Sequence, residues 1–193
     1  MRTIYVITGS QNKAAEYARI FSDVPDIRFE QKSIDLDELQ ELDTRKIIEH
    51  KLKEAARHVK GEFIIDDVSF GLGCLNGFPG PLIKWVQQAI GDEGIYELVK
   101  KYPDHSAAAK CTIGYCNSAI EPNVFEMFET EAAGKIVELK EGKGHKFGFD
   151  RIFMPEGHDR RFSEMEIEEK NRISHRGKAA EKLKKFLKLK NRL

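Results

Sequence analysis

The chain has 193 residues, 40% of them hydrophobic and 33% charged, with 32 basic side chains against 32 acidic ones. That length suits a single domain spanning 1–193, in one body or two lobes, able to bury roughly 70% of its unfolded surface. A formal net charge of zero selects no partner class, and no apolar run approaches the roughly 18 residues that cross a bilayer, so no membrane partner is expected.

Charge is nevertheless segregated. Residues 23–43 carry eight acids against two bases, and residues 170–193 carry ten bases against Glu181 alone. Cys74, Cys111 and Cys116 have no Cys-x-x-Cys spacing and read as reduced core thiols. The N-terminus enters a strand at once, without the blocks of a signal peptide. The expectation is a soluble, cytoplasmic protein.

In chain order, Thr3–Thr8 reads as a buried strand that ends in the turn Gly9-Ser10-Gln11-Asn12. A helix from near Lys13 places Ala14, Tyr17, Ala18 and Phe21 on one core-facing stripe. A glycine turn and a helix with lysine in its first turn can cradle phosphate, since free amides at a helix N-terminus attract anions. An ordinary first βα turn accounts for the same letters. The Walker A spacing is absent. Ile27–Gln31 is a second strand, followed by an acidic loop through Asp35, Asp37 and Glu38. Asp43 or Thr44 caps a helix whose stripe is Ile48, Leu52, Ala55, Ala56 and Val59, with His50 and Lys51 on its polar face.

Glu62–Ile65 reads as a short apolar strand delivering Asp66 and Asp67 at its end, with Gly71, Gly73 and Gly77 stopping regular structure beyond. Adjacent strand residues point to opposite faces, so both carboxylates meet one pocket only where the strand ends. Such an end can hold Mg²⁺, which binds through one or two carboxylates plus substrate phosphates, and a solvated strand terminus explains the pair equally. After Pro79-Gly80-Pro81 a helix carries Leu82, Ile83, Trp85, Val86, Ala89 and Ile90, with Trp85 read as core, and Gly91 ends it. Another helix follows over Glu93–Tyr102.

Ala107–Cys116 and Val124–Ala133 have the pattern of a strand pair turning at Glu121-Pro122-Asn123, which Gly134–Val137 extends. A flexible loop over Glu141–Gly144 leads to Lys146-Phe147-Gly148-Phe149-Asp150. These letters fit either a base held between aromatics or a core strand with a glycine bulge. A polar helical segment runs from Ser163 through Glu169-Lys170-Asn171, and Ser174 caps a last helix with Ala179, Leu183, Phe186 and Leu187 on one face. His175, Arg176 and Lys178 thus occupy a helix N-terminus, where the macrodipole disfavours cations, and call for an anion. The six histidines form no zinc spacing, and no Gly-x-Ser-x-Gly elbow is present.

Five segments together resemble one family. They are Thr8–Glu16, Glu38-Leu39-Gln40, Asp66-Asp67 with Gly77–Pro81, Phe147–Asp150, and Glu169-Lys170-Asn171 with Ser174–Ala179. In this order and register the chain resembles the inosine triphosphate pyrophosphatases. The resemblance implies an elongated two-lobed α/β fold with a long twisted mixed sheet flanked by helices, a nucleotide cleft between the lobes, and a homodimer. It implies Mg²⁺-dependent cleavage of non-standard purine nucleoside triphosphates (ITP, dITP, XTP) to monophosphate and pyrophosphate, clearing deaminated purines from the nucleotide pool. Carried over by position, Thr8, Gly9, Ser10, Gln11, Asn12 and Lys13 hold phosphates, with Lys51 and Lys84 near them. Glu38 and Asp67 bind the metal, and Asp67 is the catalytic base. Phe147, Gly148 and Phe149 take the base, and Asp150, Lys170, His175 and Arg176 complete the substrate contacts.

The sequence departs from the family pattern at Ser10 for Asn, Asp66 for Glu, Val68 for Ser or Thr, Leu82 for Tyr and Arg151 for Pro. Rival readings are a pyrophosphatase for pyrimidine or modified nucleotides on the same fold, and a nucleic-acid module using the basic C-terminal helix. That helix lacks interleaved aromatics apart from Phe186, so no nucleic-acid partner is expected.

Overall fold

In the computed structural model, which describes residues 2–139 and 148–190, the chain alternates strands and helices at first and then runs into long paired strands. The elements are β1 Arg2–Ile7, α1 Gln11–Ile20, β2 Ile27–Lys32, α2 Thr44–Ala55, β3 Glu62–Leu72, β4 Pro79–Gly80, α3 Ile83–Val99, β5 Ser106–Asn117, β6 Phe125–Ile136, β7 Phe153–Pro155, α4 Ile167–Ile173 and α5 His175–Lys190. Seven strands form one sheet in the order β2-β1-β3-β5-β6-β7, with β4 pairing β3. Pairing of β1 with β2 and β3 is parallel, whereas β3–β4 and β6–β7 are antiparallel. The fold is therefore α/β with a mixed sheet flanked by helices.

Two compact units divide the chain. The first takes the residues up to Asp67, Thr112–Glu129 and those from Arg176 onward. In it the α2 stripe Ile48, Leu52, Ala55 and Val59 buries against Ile7, Phe63, Ile65 and Cys116. Gly114 on β5 is required for that approach, because a Cβ there would stand 2.5 Å from Ile48 Cγ2 and 2.6 Å from Leu52 Cδ1. The second unit, Val68–Cys111 with Thr130–His175, is centred on Phe70, Leu72, Ile95, Phe149, Phe153 and Phe162.

Several local expectations are corrected. β3 does not stop at Ile65 but runs to Leu72. Gly71 pairs with Pro79 across β4 and lies so close to the Gly77 carbonyl that an added Cβ would sit 2.9 Å from it. Glycine there lets two backbones meet rather than ending the strand. Gly77 (φ 87°) turns the chain back, its amide donating to the Leu72 carbonyl at 3.0 Å. Trp85 is 56% exposed, not core, and Ile90 and Phe78 are also exposed. Ala18 is exposed while Tyr17 and Phe21 are buried. The break expected at Gly91 is present: Gly91 takes the non-helical φ 66° and ψ −179° and divides α3 into two helical stretches. Residues 148–150 form a turn, not a strand, and the three-residue β7 follows. The expected loop at Glu141–Gly144, and Lys146, lie outside the described residues.

Candidate functional site

The first unit gathers its charges around Asp66. The helix α1 begins at Gln11, two residues earlier than the sequence suggests, because Ser10 is its N-cap: the Ser10 Oγ accepts from the Lys13 amide at 3.3 Å. Ser10 thereby does the capping work that suits a short polar side chain. Its own amide donates to Thr8 Oγ1 at 3.0 Å, and Thr8 donates to the Lys32 carbonyl, which anchors the turn to β2. Gln11 and Asn12 are exposed in the first turn. The Lys13 side chain reaches β3, where Nζ stands 3.2 Å from Asp66 Oδ1 and 3.3 Å from the Asp66 carbonyl.

Arg176, at the start of α5, meets the same carboxylate from the other side. Its Nε donates to Asp66 Oδ2 at 3.1 Å and its NH1 to Glu16 Oε2 at 2.7 Å. The Asp66 and Arg176 side chains are 1% and 3% exposed. Burial, the largest influence on Asp66, pushes its pKa up; the nearby Lys13 and Arg176 charges outweigh it and hold the carboxyl below its ordinary range. The anion that Arg176 calls for at a helix N-terminus is supplied by the chain's own carboxylates. The Lys13–Glu16 spacing puts both side chains on one face of α1 and is the sequence signal that joins Glu16 to Lys13.

Because β3 continues unbroken, Asp66 and Asp67 obey strand alternation: Asp66 is buried under its two cations, and half-buried Asp67 points to the opposite face. Glu38 lies in the loop between β2 and α2, with its side chain 52% exposed, and accepts from Lys51 Nζ at 3.2 Å. Lys51 is buried, contrary to the polar face expected for it, and spans the edge of the α2 stripe to reach Glu38. Glu38 and Asp67 are hard-oxygen donors of the kind Mg²⁺ takes. Among the described residues no three His, Cys, Asp or Glu side chains gather into a metal cage. Such carboxylates fit Mg²⁺ as partial ligands, leaving its other positions to water and phosphate.

In the second unit, Gly148 (φ 54°) turns the chain so that Phe149 packs inward. Phe149 stacks on Phe70 at 3.9 Å between centroids, stands edge-on to Phe153, and lies 5.7 Å from the His175 ring. Asp150 and Lys170 make a buried ion pair, Oδ2 to Nζ at 2.5 Å, and Lys170 also lies over the Phe162 ring. His175 is buried beside Phe149 and Phe162, and its carbonyl accepts from Thr130 Oγ1 at 2.5 Å. Phe70 falls beyond the strand end that the glycines suggest, and the segment at Phe162 has no periodicity, so neither stands out in the sequence. Phe147 lies outside the described residues. Lys84 is exposed on α3, over the Trp85 ring.

The basic C-terminal run is only partly a solvated face. Lys170, Arg176 and Lys184 are buried against Asp150, Asp66 with Glu16, and Asp23 respectively. No described helix is long and apolar enough to cross a membrane.

Fold and site together define a mixed-sheet α/β protein in which the first βα turn and the last helix clamp one buried strand carboxylate. The Ham1 family profile matches residues 4–186. The chain is 37% identical to an inosine triphosphate pyrophosphatase of Scheffersomyces stipitis, covering 97% of this chain and 98% of the relative, and 41% identical to one of Pyricularia oryzae, covering 94% and 92%. Among solved structures, a HAM1 protein from Coxiella burnetii superposes with a TM-score of 0.82 at 25% identity, covering 97% of this chain and 99% of that one. The chain belongs to the Ham1 family.

Proposed function

We propose that this Ham1-family hydrolase cleaves inosine triphosphate and its relatives dITP and XTP to the nucleoside monophosphate and pyrophosphate, with Mg²⁺, in the cytoplasm. The observation that carries the reading is the buried Lys13–Asp66–Arg176 clamp beside Asp67, in a chain whose relatives bear the inosine triphosphate pyrophosphatase name.

A triphosphate brings about four negative charges, and cleavage of the α–β anhydride develops more on the departing pyrophosphate. Preorganised cations lower that barrier most where water is excluded. Lys13 and Arg176 supply them from the first turns of α1 and α5, with Lys51 and Lys84 as further phosphate contacts. Thr8, Gly9, Ser10, Gln11 and Asn12 present the turn to the phosphates. Asp67, half-buried and turned away from the clamp, accepts the proton of the attacking water as its oxygen bonds to phosphorus. The P–O bond to pyrophosphate breaks, and that group leaves with the bond's electron pair. Glu38 and Asp67 would hold Mg²⁺, which when bound would supply charge neutralisation for the phosphate oxygens.

The second unit serves the base. Phe149, packed inward on Phe70, and Phe147 are the aromatics expected to take the base. Asp150, held by Lys170, and His175 offer polar contacts. A donor facing the 6-oxo group of hypoxanthine or xanthine faces a donor in adenine. The unpaired group costs roughly 1–3 kcal/mol, a discrimination of about 5- to 150-fold. His175 is better disposed for that contact than Arg176, whose Nε and NH1 are engaged by carboxylates. We also propose a homodimer, supported by the exposed apolar side chains Phe78, Trp85 and Ile90 of the second unit; the mass of the protein in solution tests it.

The deciding experiment incubates the protein with ITP, dITP, XTP, GTP, ATP and UTP plus Mg²⁺ and identifies the products. Pyrophosphate from the first three is expected. Orthophosphate release, or equal rates on ATP or UTP, would overturn the reading.

A further inference from the structure

Four charged side chains from three elements of the first unit are linked by ion pairs: Lys13 and Glu16 from α1, Asp66 from β3, and Arg176 from α5. Two positive and two negative charges cancel. The ion pairs lie at 2.7–3.2 Å, and the side chains of Asp66, Arg176 and Glu16 are 1%, 3% and 13% exposed. Lys13 is tied to Asp66 twice, through carboxylate and carbonyl. An isolated phosphate-binding lysine would swing on a flexible stem; this one is fixed.

We propose that Asp66 and Glu16 are positioning residues, which hold Lys13 and Arg176 at set points and sacrifice some affinity for the polyanion in exchange for faster cleavage. The proposal rests on the function proposed above and concerns residues that neither touch the reacting phosphate nor bind metal in it. Two carboxylates beside two cations reduce the positive potential felt by a bound polyanion, which weakens ground-state binding. Fixing the cations serves the charge that appears only as the anhydride breaks, where misplacement by about 1 Å can cost on the order of 100-fold in rate. A pair kept only for stability would lose binding and turnover together when broken. A positioning pair separates them.

The test compares the wild type with Asp66→Asn, Asp66→Glu and Glu16→Gln in two assays: steady-state hydrolysis of ITP, and calorimetric binding of inorganic pyrophosphate without metal. Asp66→Asn is expected to lower kcat on the order of 100-fold, as misplaced catalytic groups do. Its pyrophosphate affinity should hold or tighten several-fold. Glu16→Gln should move both quantities the same way by less, and Asp66→Glu should restore most of kcat. Should Asp66→Asn fail to fold, Glu16→Gln at the outer edge of the set carries the test. Weaker pyrophosphate binding in parallel with lost turnover, or unchanged kcat in Glu16→Gln, would overturn the proposal. A wild type that binds pyrophosphate but leaves ITP intact sinks the substrate assignment instead, and the binding comparison then still decides whether these carboxylates restrain affinity.

Discussion

Removing one partner of the Asp150–Lys170 pair should cost far more than the pair is worth. The two side chains are 3% and 10% exposed and meet at 2.5 Å. Lys170→Met removes the paired cation from a carboxylate that is only 3% exposed. Breaking a buried pair in this way costs about 3–5 kcal/mol, whereas replacing both partners by apolar groups is often neutral. With a urea slope of about 2 kcal/mol/M for a chain of this size, a loss of about 4 kcal/mol moves the unfolding midpoint by about 2 M. At roughly 2–4 °C per kcal/mol, that is about 10 °C in melting temperature. Asp150→Leu alone should be comparably harmful, and Asp150→Leu with Lys170→Met should recover most of the loss. The assay is urea denaturation of all four proteins as a double-mutant cycle. Single variants within about 1 kcal/mol of wild type, or a double variant equal to the sum of the singles, would show that these charges are solvated and the reasoning wrong. Under the proposed function the double variant stays inactive towards ITP, because stability returns without the polar contact to the base.

Asp67→Asn should lower turnover by at least about 100-fold, the scale of a lost general base, with little change in melting temperature because Asp67 is only half-buried; parallel kinetics and thermal unfolding check it. Part of the pH dependence of stability should come from Glu62 of β3, which bonds Arg2 and Tyr115. Burial, the largest influence, raises its pKa, but Arg2 and Tyr115 together outweigh it and set it below its ordinary value of 4.5. In the window between the ordinary and the lowered value the unfolded chain binds more protons than the folded one. Stability from this group is therefore complete above about pH 4.5 and falls as pH drops through the lowered value. Urea midpoints from pH 7 to pH 3 should fall less steeply in Glu62→Gln than in wild type, and identical slopes would remove Glu62 from the account.

Much of the chain could be read from its letters, for identifiable reasons. β1, the Ser10–Lys13 turn, the α2 stripe and the Ala179–Leu187 face are governed by periodicity and capping, which act over a few residues. The errors lie where a distant partner decides. Gly71 looks like a strand breaker until Pro79 and Gly77 come back beside it. Trp85 looks like core because a lone tryptophan usually is, yet nothing local says which side of α3 is covered. Lys51 falls on the polar arc of a helical wheel but is drawn into a buried position by Glu38 across the β2–α2 loop. Arg176 was recognised as a cation wanting an anion. Which anion it meets depended on β3 running through position 66 as a strand. Phe153–Pro155 is too short, and ends in a residue too hostile to ladders, to stand out before β6 is there to receive it.

An uninterrupted β3 makes spacing as important as chemistry. Because Asp66 and Asp67 are neighbours on a pleated ribbon, sliding that ribbon by a single residue would present the wrong acid to each environment. Shifted one way, the half-buried carboxylate would fall beneath Lys13 and Arg176, and the clamped one would move to the position of Ile65 on the opposite face. Both acids would survive such a slip, and so would every side chain around them. Only the division of labour between them would be lost, so a single-residue insertion or deletion between Phe63 and Asp67 should be tolerated far less than a change of residue type at either acid's neighbours.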